Sequence, residues 1–319
     1  MRSSQISRES GNRLNKKDKM LKPLHWSRHD RKWVNLFLFP ALFFVLFIQA
    51  GPLFYSIYLS FQDWILLSSG SPQGFVGLTN FKNATSDPVF IQSLKFTGFL
   101  TITTVPFQLL LGTLLAFLAS GQSRFLQMSR ALLVLPMVVA PVAIGTLWRL
   151  MFNDTAGPIN NHFLNFLNLS GPLWLGDPFW AKIAIVIIEI WQWTPFVFIV
   201  ISSAITMVPQ EILQAAQVDG ASRLQIFYKI ELPLLAPAFL LVIMFRTLES
   251  LLTLDSILSL THGGPGSSTV NMTYAIYNKG LREFDLGAAS AQSWMFMLVA
   301  TVLIFVIFKL TIKSEKKTL

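Results

Sequence analysis

The chain contains six apolar stretches that are each long enough to cross a lipid bilayer as a helix. A membrane helix needs about 20 mostly apolar residues, and the backbone polar groups of a lipid-exposed segment must be hydrogen-bonded internally. We therefore predict an all-α polytopic membrane protein with six transmembrane helices. The six stretches cover residues 35–61, 94–120, 131–152, 181–205, 234–258 and 288–308.

The composition also indicates lipid as the main solvent. Of the 319 residues, 53% are hydrophobic and 13% are charged, which leaves too little polar surface to cover a soluble globule. The net charge of +9 does not indicate nucleic-acid binding, because ten of the 25 Lys and Arg lie in the first 32 residues. There is no Cys, and the four His lack metal-ligand spacing, so we expect no disulfide and no metal site.

Lys and Arg near the ends of the spans predict the orientation, since cytoplasmic loops have an excess of these residues. They concentrate before the first span, after the second, after the fourth and after the sixth. The opposite side has only Lys82, Lys95, Lys279 and Arg282, with Lys182 at a boundary. Both termini are therefore predicted to be cytoplasmic, with a basic tail over 1–33, a membrane domain over 34–310 and a second basic tail over 311–319.

Proline residues lie inside several of the predicted spans. Each proline leaves a backbone carbonyl without its helical partner, and a neighbouring helix or a cavity must satisfy that carbonyl. This favours a packed bundle with an internal pathway over a set of simple anchors. These prolines are Pro40, Pro106, Pro136, Pro141 and Pro195.

A polar segment over 207–233 separates the fourth span from the fifth. Pro209 is suited to the first position of a helix, and Gly220 is suited to the left-handed residue that ends it. The stretch "ASRLQIFYKI" then predicts a second short helix, and Pro233 is predicted to open the fifth span. The segment is therefore a predicted helix-turn-helix, with an amphipathic loop lying on the lipid headgroups as the alternative.

Polar and aromatic side chains form one stripe on the fourth span and one on the fifth. Because both stripes have the spacing i, i+3, i+4 and i+7, each lies on one helical face, and polar groups within spans should face the bundle interior. Carboxylate, amide and aromatic groups suit a sugar. The residues are Glu189, Gln192, Trp193 and Phe196 on the fourth span, and Arg246, Glu249, Ser250 and Thr253 on the fifth.

Arg246 leaves two interpretations open. A guanidinium that faces a cavity suits a carboxylate or a phosphate, which would indicate an acidic saccharide or a sugar phosphate. Alternatively, Arg246 pairs with Glu189 or Glu249 and holds the bundle together.

The polar segment resembles the EAA loop of binding-protein-dependent ABC importer permeases through "QAAQVDGASRLQIFYKIELP". The stretches "LPMVVAPVAIGTLWRLMFN" and "LTHGGPGSSTVNMTYAIYNKGLREFDLGAASA" are similar to the carbohydrate branch of that family, the MalF-like membrane components. The resemblance implies that 207–233 is a coupling loop that docks on an ATPase subunit. The motif falls on Gln214, Ala215, Ala216, Asp219, Gly220, Ala221, Leu232 and Pro233.

One position departs from the motif, because Gln214 replaces the family's leading glutamate. The charged contact is then either a neutral hydrogen bond from Gln214 or is supplied by Glu211, one turn earlier. The resemblance also places the family's sugar-contacting positions on the two stripes, at Glu189, Gln192, Trp193, Phe196, Arg246, Ser250 and Thr253.

The resemblance implies a subunit of an ATP-driven carbohydrate importer in the bacterial inner membrane. Its implied partners are a second homologous permease, two ATP-binding-cassette ATPase subunits and an extracytoplasmic solute-binding protein. The chain itself lacks the P-loop pattern G-x-x-x-x-G-K-[ST], so we expect no enzyme activity and no cofactor in it, with ATP and magnesium on the partner ATPase. The alternative is a self-sufficient secondary transporter with Glu189 as the coupling acid, but no inverted repeat is evident.

Overall fold

The computed structural model describes residues 28–119 and 124–318. Most of the predicted N-terminal tail, residues 1–27, lies outside these ranges. The chain forms two compact units, Met1–Ser56 and Ile57–Leu319. The first described helix, α1 (Arg28–Ser60), runs through the division between them. Within the first unit, Phe39, Phe43 and Phe47 stack in a row along α1, with ring centroids 6.1 Å and 5.9 Å apart.

The second unit is mostly helical. Its strands β1 (Gln62–Asp63) and β2 (Gly74–Phe75) form a small antiparallel ribbon in which Gln62 pairs with Phe75. Short π-helical segments cover Ile159–Leu164, Phe227–Glu231 and Asn278–Arg282. The α-helices are α2 (Thr79–Ser86), α3 (Pro88–Leu118), α4 (Arg124–Val138), α5 (Pro141–Met151), α6 (Pro178–Thr206), α7 (Gln210–Val218), α8 (Arg223–Ile226), α9 (Leu232–Leu234), α10 (Ala236–Leu251), α11 (Asp255–Leu260), α12 (Met272–Tyr277) and α13 (Leu286–Thr318).

Four helices of the described chain are long and apolar enough to cross a membrane, and there are up to six spans if two bent helix pairs each count as one. The bent pairs are Arg130–Val138 with Pro141–Met151, at 100°, and Arg223–Leu234 with Ala236–Leu251, at 64°. The four unbroken spans lie in α1, α3, α6 and α13.

The helix predicted over the third span, 131–152, is broken in the structure into two segments bent by 100°. The helix stops at Val138, and Ala140 takes the extended ψ of 132° directly before Pro141. A residue that precedes proline is disfavoured in the α-helical conformation, because the proline ring clashes with its backbone. The chain therefore bends here, and α5 starts in a new direction.

The predicted fifth span, 234–258, also differs from the structure. The helical path bends by 64° around Leu235, so that Pro233 lies inside the short helix α9 and the long helix α10 starts at Ala236. Helix α10 ends at Leu251, and α11 forms a separate helix. Two smaller boundaries differ as well: Pro209 caps α7 rather than opening it, and α13 continues to Thr318 through the predicted C-terminal tail.

The core of the second unit lies where α3, α6 and α10 meet. Gly112 of α3 permits the close approach, since a Cβ on it would lie 2.5 Å from the Cβ of Val197 on α6. Two separate apolar clusters are buried along α6, one around Ile185 and Ile188 and one around Val197 and Ile201. The part of α6 between these clusters carries the polar residues.

Candidate functional site

A buried cluster of polar side chains joins α3, α6 and α10. Arg246 of α10 is 0% exposed, and its Nε donates to Oε1 of Gln108 on α3 at 3.0 Å. Its Nη2 lies 3.9 Å from Oε2 of Glu189 on α6. Its Cζ also lies 4.5 Å from the centroid of the Trp193 ring. The guanidinium therefore contacts both neighbouring helices from inside the bundle.

The carboxylate of Glu189 is held from a further direction. The carboxylate Oε1 accepts a hydrogen bond of 2.6 Å from Oγ of Ser256 on α11. The backbone oxygen of Glu189 accepts one of 2.8 Å from Nε2 of Gln108. Ser250 of α10 donates to Oγ1 of Thr101 on α3 at 3.2 Å. These bonds satisfy part of the cluster, since an unpaired buried polar group is costly; among the described residues, Oε2 of Glu189 and both Nη atoms of Arg246 have no hydrogen-bond partner.

Helix α7 is exposed over most of its surface in the 207–233 segment. Glu211, Gln214, Ala215 and Val218 have the spacing i, i+3, i+4 and i+7, and all four are exposed. Ala216, which lies on the other side of the helix, is buried. The residues that match the motif therefore lie on both faces, with the polar ones outward.

The turn after α7 has a well-defined geometry. Gly220 has φ of 79°, which confirms the predicted left-handed residue. Its N–H donates to the carbonyl of Gln217, and the N–H of Ala221 donates to that of Ala216, which is the Schellman pattern of a helix end. Ser222 then caps α8 in a capping box with Gln225. Backbone and side-chain hydrogen bonds thus fix the angle between α7 and α8.

The 207–233 segment is anchored on the ends of α3 and α6. The rings of Phe227 and Phe117 meet edge to face, with centroids 5.1 Å apart. A groove of about 1520 Å³ lies between the segment and the two helix ends, lined among others by Leu114, Gln217 and Arg223. The segment therefore contacts the bundle through Phe227 and borders a groove with it.

A family model described as "Binding-protein-dependent transport system inner membrane component" matches residues 108–314. This match covers the 207–233 segment and all the residues of the polar cluster except Thr101. The chain belongs to this family.

Relatives of the permease extend over most of its length. It is 33% identical over 262 residues to the sulfoquinovosyl glycerol transport system permease protein SmoG of Agrobacterium fabrum, covering 82% of this chain and 84% of SmoG. It is 30% identical over 275 residues to the trehalose/maltose transport system permease protein MalF of Thermococcus litoralis, covering 86% and 92%. As these names indicate, the chain is a transport subunit and not an enzyme.

The fold of the permease matches a chain in a crystal structure of a bacterial alginate ABC transporter in complex with an alginate pentasaccharide-bound periplasmic protein. The TM-score is 0.78 at 21% identity, covering 92% of this chain and 99% of that chain. At this level of identity the likeness shows the fold alone.

The structure divides the eight predicted sugar-binding residues of the permease into two groups. Glu189, Gln192, Arg246 and Ser250 are buried inside the chain, whereas the other four are partly exposed. Of the two interpretations of Arg246, the structure supports the pair with Glu189. The partly exposed group consists of Trp193, Phe196, Glu249 and Thr253.

Sequence reasoning missed the residues with which the buried group pairs. Gln108, Thr101 and Thr104 lie on the second predicted span, at positions that place them on one helical face, and Ser256 lies just beyond α10. The rule that polar groups within spans face the interior applies to them as it does to the two stripes. A third stripe, on the second span, was therefore detectable.

Proposed function

We propose that the permease is one of two homologous transmembrane subunits of an ATP-driven carbohydrate importer in the bacterial inner membrane. Two ATP-binding-cassette ATPase subunits would bind ATP and magnesium, and an extracytoplasmic solute-binding protein would deliver the sugar. The substrates in the names of SmoG and MalF support a carbohydrate. The solved alginate transporter, crystallised with its periplasmic protein, supports this arrangement of partners.

The proposed topology has six spans with both termini in the cytoplasm, so that each bent helix pair counts as one crossing. The 207–233 segment then lies on the cytoplasmic side. We infer that this segment is the coupling loop of the family, with Glu211, Gln214 and Asp219 exposed toward the ATPase. The excess of Lys and Arg on this side of the chain supports the orientation.

The observation that carries the proposal is an apolar surface on the 207–233 segment. Val218 is 88% exposed between Gln217 and Asp219, and Ile212 on the same helix is 44% exposed. Exposed apolar side chains on a short helix that also exposes polar residues suit a surface that another protein covers. A subunit that must transmit motion needs such a contact.

Cross-linking tests the docking surface directly. Because the chain has no Cys, Val218→Cys introduces a single thiol, which can be attached to a short photoactivatable cross-linker. We expect cross-linking to the ATPase subunit in the assembled complex. The matched control is Leu213→Cys on the same helix, because Leu213 is less exposed and lines the groove between the segment and the bundle.

The control should cross-link to the ATPase much less than Val218→Cys does. The coupling assignment fails if the complex assembles and Val218→Cys gives no ATPase adduct. It also fails if both positions react equally.

The sugar surface we propose is aromatic rather than cationic. Trp193 and Phe196 are partly exposed, and Phe196 stacks on Phe245 with ring centroids 4.8 Å apart. Flat aromatic faces suit the C–H groups of a sugar ring. The charge of Arg246 is already paired with Glu189 inside the bundle, so an acidic substrate would have to be recognised by other groups.

The geometry does not favour the alternative of a secondary transporter driven by Glu189. A coupling acid must exchange protons with water, and Glu189 is 3% exposed. Its carboxylate also accepts from Ser256 and lies beside Arg246. These contacts are those of a structural ion pair.

A further inference from the structure

The amide of Gln108 sets the spacing between α6 and α10 at the level of Trp193. Its Oε1 accepts from Nε of Arg246 at 3.0 Å, and its Nε2 donates to the backbone oxygen of Glu189 at 2.8 Å. A guanidinium can only donate and a carbonyl can only accept, so this is the one orientation of the amide that satisfies both partners. Gln108 therefore holds Arg246 and the Glu189 backbone at a fixed separation.

The guanidinium of Arg246 is held against the indole of Trp193. Its Cζ lies 4.5 Å from the centroid of the ring, within the distance of a cation–π contact. Glu189 lies one helical turn before Trp193 on α6 and places a negative charge 3.9 Å from Nη2. In the described part of the chain, Nη1 and Nη2 have no hydrogen-bond partner, so the ring and the carboxylate are the contacts of this end of the side chain.

The two sides of this arrangement differ in their access to a substrate. Arg246 is 0% exposed and Gln108 is 0% exposed, so a sugar cannot reach either without a rearrangement of the bundle. Trp193 is partly exposed, as is Phe196 one turn further along α6. The buried cation thus lies behind the accessible aromatic surface.

We propose that Gln108, Glu189 and Arg246 are positioning residues that fix the indole of Trp193 as a stacking surface for the sugar. This inference rests on the proposed function, because it assumes that the transported molecule is a carbohydrate. The three residues do not contact the sugar. They set the rotamer of Trp193, and so determine how well a sugar ring is held during transport.

The test compares the KM for the sugar-loaded binding protein and the maximal rate of sugar transport, both measured with the complete complex in proteoliposomes. The first variant is Arg246→Met with Glu189→Gln, which removes both charges and leaves neither partner as an unpaired ion. We expect its KM to rise by up to about tenfold, because the cation–π contact that orders the indole is lost, with a maximal rate close to that of the unmodified complex. The second variant, Gln108→Met, keeps the ion pair and should raise KM in the same direction.

A double-mutant cycle with Trp193→Ala separates positioning from general damage. If the cluster acts through the indole, Trp193→Ala alone should raise KM, and adding the double substitution to it should change KM no further. A merely structural cluster would instead lower the maximal rate and the amount of complex, and its effect would add to that of Trp193→Ala. Either of those two results overturns the inference.

Tryptophan fluorescence provides a readout that does not depend on transport. The difference spectrum between the unmodified permease and Trp193→Phe isolates the emission of Trp193 among the nine tryptophans. The same difference spectrum, measured with Gln108→Met present in both proteins, should be shifted in wavelength because the environment of the indole changes. An unchanged spectrum counts against the inference, and it can be measured even if the charge-free variant fails to assemble.

The inference and the proposed function fail in different ways. If Trp193→Ala raises KM and the cluster variants do not, the positioning role is wrong and the carbohydrate importer stands. If the unmodified complex transports no saccharide with any candidate binding protein, the proposed function itself is wrong.

Discussion

Replacing Gly220 by Val tests whether the turn after α7 couples the permease to its ATPase. Gly220 has φ of 79°, and a β-branched residue is a genuine outlier at positive φ. No atom lies within 4 Å of the position that a Cβ would take. The whole penalty therefore comes from the backbone conformation and not from a clash with neighbouring groups.

The expected magnitude follows from that conformation. Holding an L-residue in the left-handed region costs roughly 1–2 kcal/mol, which reduces the population of the native turn relative to alternatives by a factor of about 5 to 30. If the ATPase docks only on the native turn, its apparent affinity falls by up to that factor, in proportion to the fraction of the native turn that is lost. Gly220→Asn should recover most of the loss, since Asn tolerates this region.

The assay is sugar-stimulated ATP turnover of the reconstituted complex with its binding protein, measured as the ATPase subunit is titrated. We expect Gly220→Val to shift the titration midpoint upward and to lower stimulated turnover. A matched control is Gly77→Val, because Gly77 has φ of 57° and a Cβ there would meet only the Phe75 ring, at 3.9 Å. Gly77 lies between β2 and α2, outside the 207–233 segment.

Unchanged stimulated turnover and an unchanged titration midpoint in Gly220→Val would refute the coupling role of the turn. An equal loss in Gly77→Val would show that backbone strain destabilises the permease in general, and the specific argument would fail. A loss confined to Gly220→Val and reversed by Gly220→Asn is the predicted pattern.

Three further predictions concern other parts of the permease. Gln214→Glu, on the exposed face of α7, should keep or strengthen coupling because a carboxylate accepts more strongly than an amide from a basic partner; failed assembly with the ATPase would contradict this. Gly112→Ala places a Cβ 2.5 Å from that of Val197 and should destabilise the permease by about 1–3 kcal/mol, measured as a lower melting temperature. Gly98→Ala on the same helix has open space around its Cβ and should leave the melting temperature unchanged. Burial lowers the pKa of Lys279, but the hydrogen bond with Glu283 and nearby carboxylates outweigh it and raise the pKa above its usual range. The contribution of this charge to stability is therefore present at neutral pH and is lost only as the pH rises through the raised pKa. Lys279→Met should flatten the alkaline end of a plot of melting temperature against pH.

The sequence by itself was sufficient for the properties that depend on local composition. The apolar lengths of α1, α3, α6 and α13 predict membrane helices whatever their neighbours are, because the backbone in lipid has no other hydrogen-bond partners. The left-handed conformation of Gly220 was likewise predictable, since the residues that end a helix act over a single turn. The spacing of Glu189, Gln192 and Trp193 placed them correctly on one part of α6, because the helical period alone decides which residues share a face.

Only the tertiary structure decided which polar groups meet. Gln108, Glu189 and Arg246 lie far apart in the chain, and each has several polar residues that it could face. Their pairing depends on how closely α3 approaches α6, which Gly112 permits, and on the rotation of α10 about its own axis. The bends of the two helix pairs could not be predicted from the sequence for a related reason. Proline marks where a helix loses a hydrogen bond, but the angle at Ala140 and at Leu235 is set by the helices against which the following segment packs.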